Sequence, residues 1–163
     1  MMSIIKTIYS LMRLLLLIST PLLAQSRTVI VDKPHLKLYV VERKDTLLSV
    51  PIGVGANYGN KIKKGDKRTP EGSFKISQIQ DSSKWTHDFG DGKGWVKGAY
   101  GPWFLRLKMP GWKSIGIHGT CHPNTIGTRT SNGCIRLHNR DIVRLKQLVS
   151  VGTKVIILPD KHN

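Results

Sequence analysis

Leu36-Lys37-Leu38-Tyr39-Val40 decides the fold class, because Leu36, Leu38 and Val40 fall on one face and Lys37 and Tyr39 on the other. A period of two is that of a strand with one face buried. Short β-branched or alternating runs recur on both sides of it, at 28–32, 46–52, 73–77, 103–107, 114–117 and 154–158, separated by Gly- and Asn-rich breaks. Only 139–149 keeps a helical period, with Ile142, Leu145, Leu148 and Val149 on one stripe, Asn139 placed as N-cap and Asp141 in the first turn. The pattern predicts a mainly β (α+β) fold, a sandwich or barrel of mostly antiparallel strands with one late helix near 139–150.

Composition narrows the class further. A chain of 163 residues is expected to hold one domain. With 16 Gly and 8 Pro it is too rich in turns for a long-helix protein, and two cysteines cannot build a disulfide scaffold. The formal net charge of +16 points to polyanionic partners, although charge speaks to association rather than to chemistry. Residues 1–24 read as a secretory signal peptide: Lys6 and Arg13 precede the apolar run Leu14 to Ile18, and Pro21, Leu22, Leu23 and Ala24 lead to a cleavage point after Ala24. Residues 25–163 are then an exported domain, in the periplasm or cell wall. An uncleaved anchor is the alternative, since Leu22 is bulky for the position it holds. Two segments lack apolar period, the basic stretch 57–68 and the Gly-rich stretch 82–101, and both are expected as exposed loops.

The chemistry gathers in Ile115-Gly116-Ile117-His118-Gly119-Thr120-Cys121-His122 and, nine residues on, Ser131-Asn132-Gly133-Cys134-Ile135-Arg136-Leu137. A cysteine nucleophile reacts as thiolate, so it needs an imidazole to take its proton and backbone donors near the attacked carbonyl. His118, at the end of an apolar strand, and Cys134, behind a glycine that leaves room for a substrate, supply that pair. Arg136, whose planar fork can pair two oxygens at once, is expected to bind a substrate carboxylate or phosphate-like charge. His35, His87, His138 and His162 are read as surface or loop residues.

These residues resemble the active-site signature of the L,D-transpeptidase catalytic domain, the cysteine enzymes that cross-link bacterial cell walls. The match runs through His118-Gly119-Thr120 and Ser131-x-Gly133-Cys134-Ile135-Arg136-Leu137. Upstream, Ile52-Gly53-Val54-Gly55, Thr69-Pro70-Glu71-Gly72-Ser73-Phe74 and Tyr100-Gly101-Pro102-Trp103 are similar to family segments in the same order, so the resemblance spans residues 27–159. Asn132 stands where one common form of the motif has histidine, which leaves His118 as the sole base. The resemblance implies a two-step acyl transfer on a peptidoglycan stem tetrapeptide, with a Cys134 thioester, release of D-Ala and a 3→3 cross-link. It further implies an oxyanion hole around Gly133 and Cys134, Ser131 bracing the loop or touching substrate, and Gly119 or Thr120 orienting the imidazole. No metal or organic cofactor is implied, and a monomer is expected. Water as acceptor would make the enzyme an L,D-carboxypeptidase, and a D-amino acid or protein lysine are further acceptors. Loops 57–67 and 85–100 are candidate lids, with Trp85, Trp95, Tyr100 and Trp103 offering faces to a stem or glycan.

Two rivals stay open. His118-x-x-Cys121 and Cys134-x-x-x-His138 have zinc-like spacing, and a Cys121–Cys134 disulfide is possible in an oxidising compartment. A basic exported domain without catalysis would bind anionic wall polymers or nucleic acid. Nucleic acid is not expected, because the basic residues form no aromatic-interleaved stripe.

Overall fold

The computed structural model describes residues 26–160 except residue 93, so the expected leader and His162 lie outside the described residues. The strands are β1 (Arg27–Asp32), β2 (Lys37–Glu42), β3 (Asp45–Pro51), β4 (Val54–Gly55), β5 (Gly72–Asp81), β6 (Thr86–Asp88) and β7 (Trp95–Lys97). They continue with β8 (Trp103–Lys108), β9 (Gly116–His118), β10 (Arg129–Ser131) and β11 (Ile135–Arg136), then helix α1 (Asn139–Leu148) and β12 (Lys154–Ile157). The fold is mostly β with one late helix, as the sequence pattern predicts.

Eight strands make one sheet in the order β11-β9-β8-β5-β12-β1-β2-β3. Its register follows from which side chains must be dry. Val29 sits opposite Val40 and Val155, Val31 opposite Leu38 and Ile157, and Leu38 and Val40 opposite Val50 and Leu48. All eight are buried. Each such side chain contributes about 1.5–3 kcal/mol relative to exposure, and a one-residue slip would turn a whole row to solvent. Most pairings are antiparallel; β1 with β12 and β9 with β11 are parallel.

After β3 the chain turns back across the sheet. Gly53 donates its N–H to the Arg136 carbonyl at 2.9 Å and accepts the Arg136 N–H at 2.8 Å. Gly53 follows β3, and β3 and β11 are the two ends of the strand order, so this exchange ties the two ends of the curled sheet together.

Helix α1 lays Ile142 and Leu145 against β8 and β9. Its N-cap is His138, without a side-chain cap bond, and Asn139 is the first helical residue. Asn139 serves another purpose: its Oδ1 accepts the Thr120 N–H at 2.8 Å. The expected loop 82–101 contains the β6–β7 hairpin, and Ser82, Ala99 and Gly101 inside it are buried. Three-residue strands around a glycine-rich tip are too short to show a period. The basic stretch 57–68 is irregular, as read, yet Lys61 and Asp66 within it are buried.

Candidate active site

His118 closes β9, between β8 and β11. Its ring is buried, stacked on Phe104 with centroids 5.3 Å apart and planes 8° apart, and met edge-on by Tyr100 at 5.0 Å. Nδ1 lies 2.5 Å from the Gly119 carbonyl. A carbonyl only accepts, so Nδ1 carries the proton and Nε2 keeps its lone pair. Burial pushes the imidazole down to about 4 against the opposing pull of the Gly119 bond, with Arg136 and His87 adding to the depression. The ring is therefore neutral at neutral pH.

The neighbouring loop delivers the thiol. Parallel pairing sets Ile135 beside Ile117 and Arg136 beside His118. Cys134, two residues before Arg136, thus projects on the face that carries Arg136 and His118. The loop is braced from within: Ser131 Oγ donates to the Cys134 carbonyl at 2.6 Å and accepts the Gly133 N–H at 3.0 Å. Gly133 has φ 128°, and a Cβ there would sit 2.7 Å from the Arg68 carbonyl, so no other residue fits without moving backbone. The Gly133 N–H is engaged with Ser131, contrary to the expectation that it waits for a substrate oxygen.

Cys134 is partly exposed and places Sγ 3.5 Å from the Ser114 carbonyl. Burial raises the thiol above its ordinary value, while the Gly116 N–H and the charges of Arg136, Arg106 and Lys61 pull the other way. The resting pair is thus a neutral thiol and a neutral imidazole.

Both side chains line one cleft of about 510 Å³. Thr120, Ser131, Asn132 and Arg136 share it. Gly119 holds the imidazole through its carbonyl, and a Cβ there would meet Asn139 Oδ1 at 2.3 Å and the Gly101 backbone at 3.0 Å, so a side chain would have to displace Asn139 from Thr120. Thr120 acts at one remove, its Oγ1 accepting the His122 N–H at 3.0 Å. Both expected loops frame the cleft, 57–67 through Lys61, Lys64 and Lys67, and 85–100 through His87, Phe89 and Tyr100.

Several readings need correction. His87, expected at the surface, is half-buried in the cleft with Nδ1 3.1 Å from the Tyr100 hydroxyl. Of the four aromatics offered as ligand faces only Tyr100 lines the cleft; Trp103 lies under Lys146 at 4.7 Å, Trp85 packs behind Tyr100 and Phe104, and Trp95 is exposed. Trp112 lines it instead. Sequence reasoning also missed Phe104, whose alternating strand context reads as plain core, and the clamp at Asp66. That carboxylate, although buried, is held well below its usual range by Lys61 Nζ at 2.6 Å and by the N–H groups of Ile62, Lys63 and Arg68. A basic run interrupted by a single acid was the available signal.

Cys121 turns elsewhere. Its Sγ lies 3.2 Å from His122 Nδ1, and it shares a separate hollow with His138 and Arg140. Both cysteines are free thiols. Among the described residues no three His, Cys, Asp or Glu side chains converge as metal ligands, so the zinc-like spacing is not assembled in space.

Residues 26–157 match the family model of the YkuD L,D-transpeptidase catalytic domain. The "Putative L,D-transpeptidase YkuD" of Bacillus licheniformis is 36% identical over 124 residues, covering 76% of this chain and 59% of that protein. Among solved structures, the helical cell shape determining protein Pgp2 of Campylobacter jejuni superposes with TM-score 0.63 at 20% identity, covering 84% of this chain and 48% of that one. An L,D-transpeptidase from Mycobacterium smegmatis gives TM-score 0.59 at 21% identity, covering 81% and 58%. The chain spans less than two thirds of each of these relatives, and the two structures speak to the fold alone. A family model matched over most of the chain, on a curled sheet that sets a thiol and a buried imidazole in one cleft, is enough for the conclusion: the chain belongs to the L,D-transpeptidase catalytic domain family.

Proposed function

We propose that this protein is a cysteine acyltransferase acting on peptidoglycan stem tetrapeptides. The observation that carries the reading is a partly exposed Cys134 sharing a cleft with a buried His118 whose Nδ1 is tied to Gly119. His118 Nε2 takes the thiol proton as Sγ attacks the carbonyl of the third stem residue. The C–N bond to D-Ala breaks, the departing amine receives that proton, and a thioester remains. An acceptor amine, the side-chain amine of another stem's third residue, then attacks the thioester and gives a proton to His118. The C–S bond breaks, the sulfur regains a proton, and one peptide bond has been exchanged for another. With Gly133 N–H held by Ser131, the Cys134 N–H is the oxyanion donor in this scheme. Arg136, whose guanidinium among the described residues meets only the Thr125 hydroxyl and the Thr130 carbonyl, at 3.3 Å each, binds the substrate carboxylate.

The same reading places the protein outside the cytoplasmic membrane, where its positive charge draws it to a carboxylate-rich wall. The test is to incubate the protein with tetrapeptide muropeptides and analyse products by mass spectrometry. Dimers linked 3→3 are expected. Tripeptides with free D-Ala would mean water is the acceptor, and no change in the tetrapeptide would refute the reading.

A further inference from the structure

Away from the cleft, three lysines face one another across the sheet with no acid to balance them. Lys75 of β5 is paired directly with Lys154 of β12 on one side and with Lys108 of β8 on the other. One residue along in each strand, Ile76, Val155 and Leu107 are buried, so strand alternation sends all three lysines to the opposite face, where they are exposed. Directly opposed side chains stand about 5 Å apart at Cβ, and like charges there destabilise the sheet. None of the three meets a carboxylate among the described residues, whereas the buried lysines do: Lys33 has Glu71 and Asp160, and Lys61 has Asp66. A repulsive row without counter-charge is suited to an anion from outside the chain.

The surroundings of the row say which anion. Lys75, Lys108 and Lys154 border a hollow of about 630 Å³ together with Phe74, Met109 and Pro110. Lys154 also borders a second hollow beside Val151, which is exposed. Cations set among apolar side chains match a bilayer interface, where phosphate groups lie above acyl chains. The sequence brings such a surface near. The apolar run Leu14 to Ile18 lies upstream of β1, and β1 enters the sheet at Arg27, one residue before Thr28, the partner of Lys154. The row also stands clear of the chemistry: Gln80 is the β5 residue level with Phe104 and His118, and it lies five residues, or about 17 Å, from Lys75.

We infer that Lys75, Lys108 and Lys154 form a docking site for an anionic lipid bilayer, their ammonium groups binding headgroup phosphates while Phe74, Met109 and Pro110 meet the interface between them. The site is independent of the proposed reaction and holds the protein on its outer sheet face.

The test is vesicle flotation of the full chain. Partition onto phosphatidylcholine vesicles containing about one-third phosphatidylglycerol should exceed that onto phosphatidylcholine alone by about 10-fold or more, and the preference should shrink at about 0.5 M salt. Lys75→Gln, Lys108→Gln and Lys154→Gln together should cut the preference to about 2-fold or less. The same charge removed elsewhere, by Lys63→Gln, Lys64→Gln and Lys67→Gln, should leave it within about 2-fold of wild type. That loop is tied through Gly59 to Asp160, beyond the far end of β12 and outside the screening length of about 8–10 Å. Lys75→Gln alone should leave the denaturation midpoint unchanged or raise it, since it removes a repulsion. A lowered midpoint would make the lysines structural and overturn the inference. Equal partition onto the two vesicles, or equal losses in the two triple variants, would overturn it as well. So would displacement from the vesicles by about 10 mM inorganic phosphate, which would mean a site for single ions and not for a bilayer.

Discussion

Two thiol–imidazole pairs lie thirteen residues apart in this chain, and they are built in opposite ways. Cys121 and His122 touch, at 3.2 Å, but His122 is exposed and packs only its edge against Phe89. His118 beside Cys134 is buried, stacked on Phe104, and fixed in one tautomer by a backbone carbonyl. A close thiol–imidazole contact by itself thus does not organise a site. What sets the Cys134 site apart is environment: an imidazole kept neutral by burial, a loop braced by Ser131, and cations that favour the thiolate once it forms.

The comparison breaks most sharply at the sulfur atoms. Cys134→Ala is expected to abolish D-Ala release and covalent adduct formation, whereas Cys121→Ala should stay within about 2-fold of wild type, both read by product mass spectrometry. Next come the imidazoles. His118→Ala should lower kcat about 10²- to 10⁴-fold, while His122→Ala should cost a few-fold at most, because the exposed His122 ring meets the cleft through Phe89.

How far the two sites could be told apart beforehand is instructive. The period-two runs gave the strands of the main sheet, and His118 stood out at the end of an apolar strand and Cys134 behind a glycine that leaves room. Burial of His118 was not readable, since it depends on Phe104 and Tyr100 arriving from β8 and the turn before it, and contacts between distant segments leave no local pattern. The same is true of Asn139, whose short polar side chain at a helix start looks like a cap but reaches Thr120 instead. The β6–β7 hairpin was hidden by its brevity, and the role of Lys61 by its resemblance to any solvated lysine.

A pH series sharpens the contrast further. His118 must be unprotonated to act as a base, and its value near 4 means that the acid limb of kcat/KM should fall near pH 4 rather than near the ordinary imidazole value of about 6.5. The sign for stability follows. The unfolded chain binds this proton more readily than the native one, so stability is full above about pH 6.5 and declines as pH falls toward 4. A His118→Gln variant should lose that part of the slope in denaturation measured across the range, and His122→Gln should not.

The smallest expected effect concerns the cleft wall. Asp66→Asn removes the charge that holds Lys61 and three N–H groups, and should cost about 1–3 kcal/mol in denaturant titration. Because the native Asp66 carboxyl lies below its unfolded value, its stabilisation is present above about pH 4 and is lost as pH drops through the native value. The loosened wall should raise KM more than it lowers kcat, and the alkylation rate of Cys121 should not change.

The most direct test of the central claim is to quench the protein with acid during turnover of a tetrapeptide stem and map the acyl adduct by peptide mass spectrometry. The account requires a thioester on the peptide containing Cys134, lacking the terminal D-Ala, and none on the peptide containing Cys121. An adduct on Cys121, or product formation undiminished in the Cys134→Ala variant, would contradict it.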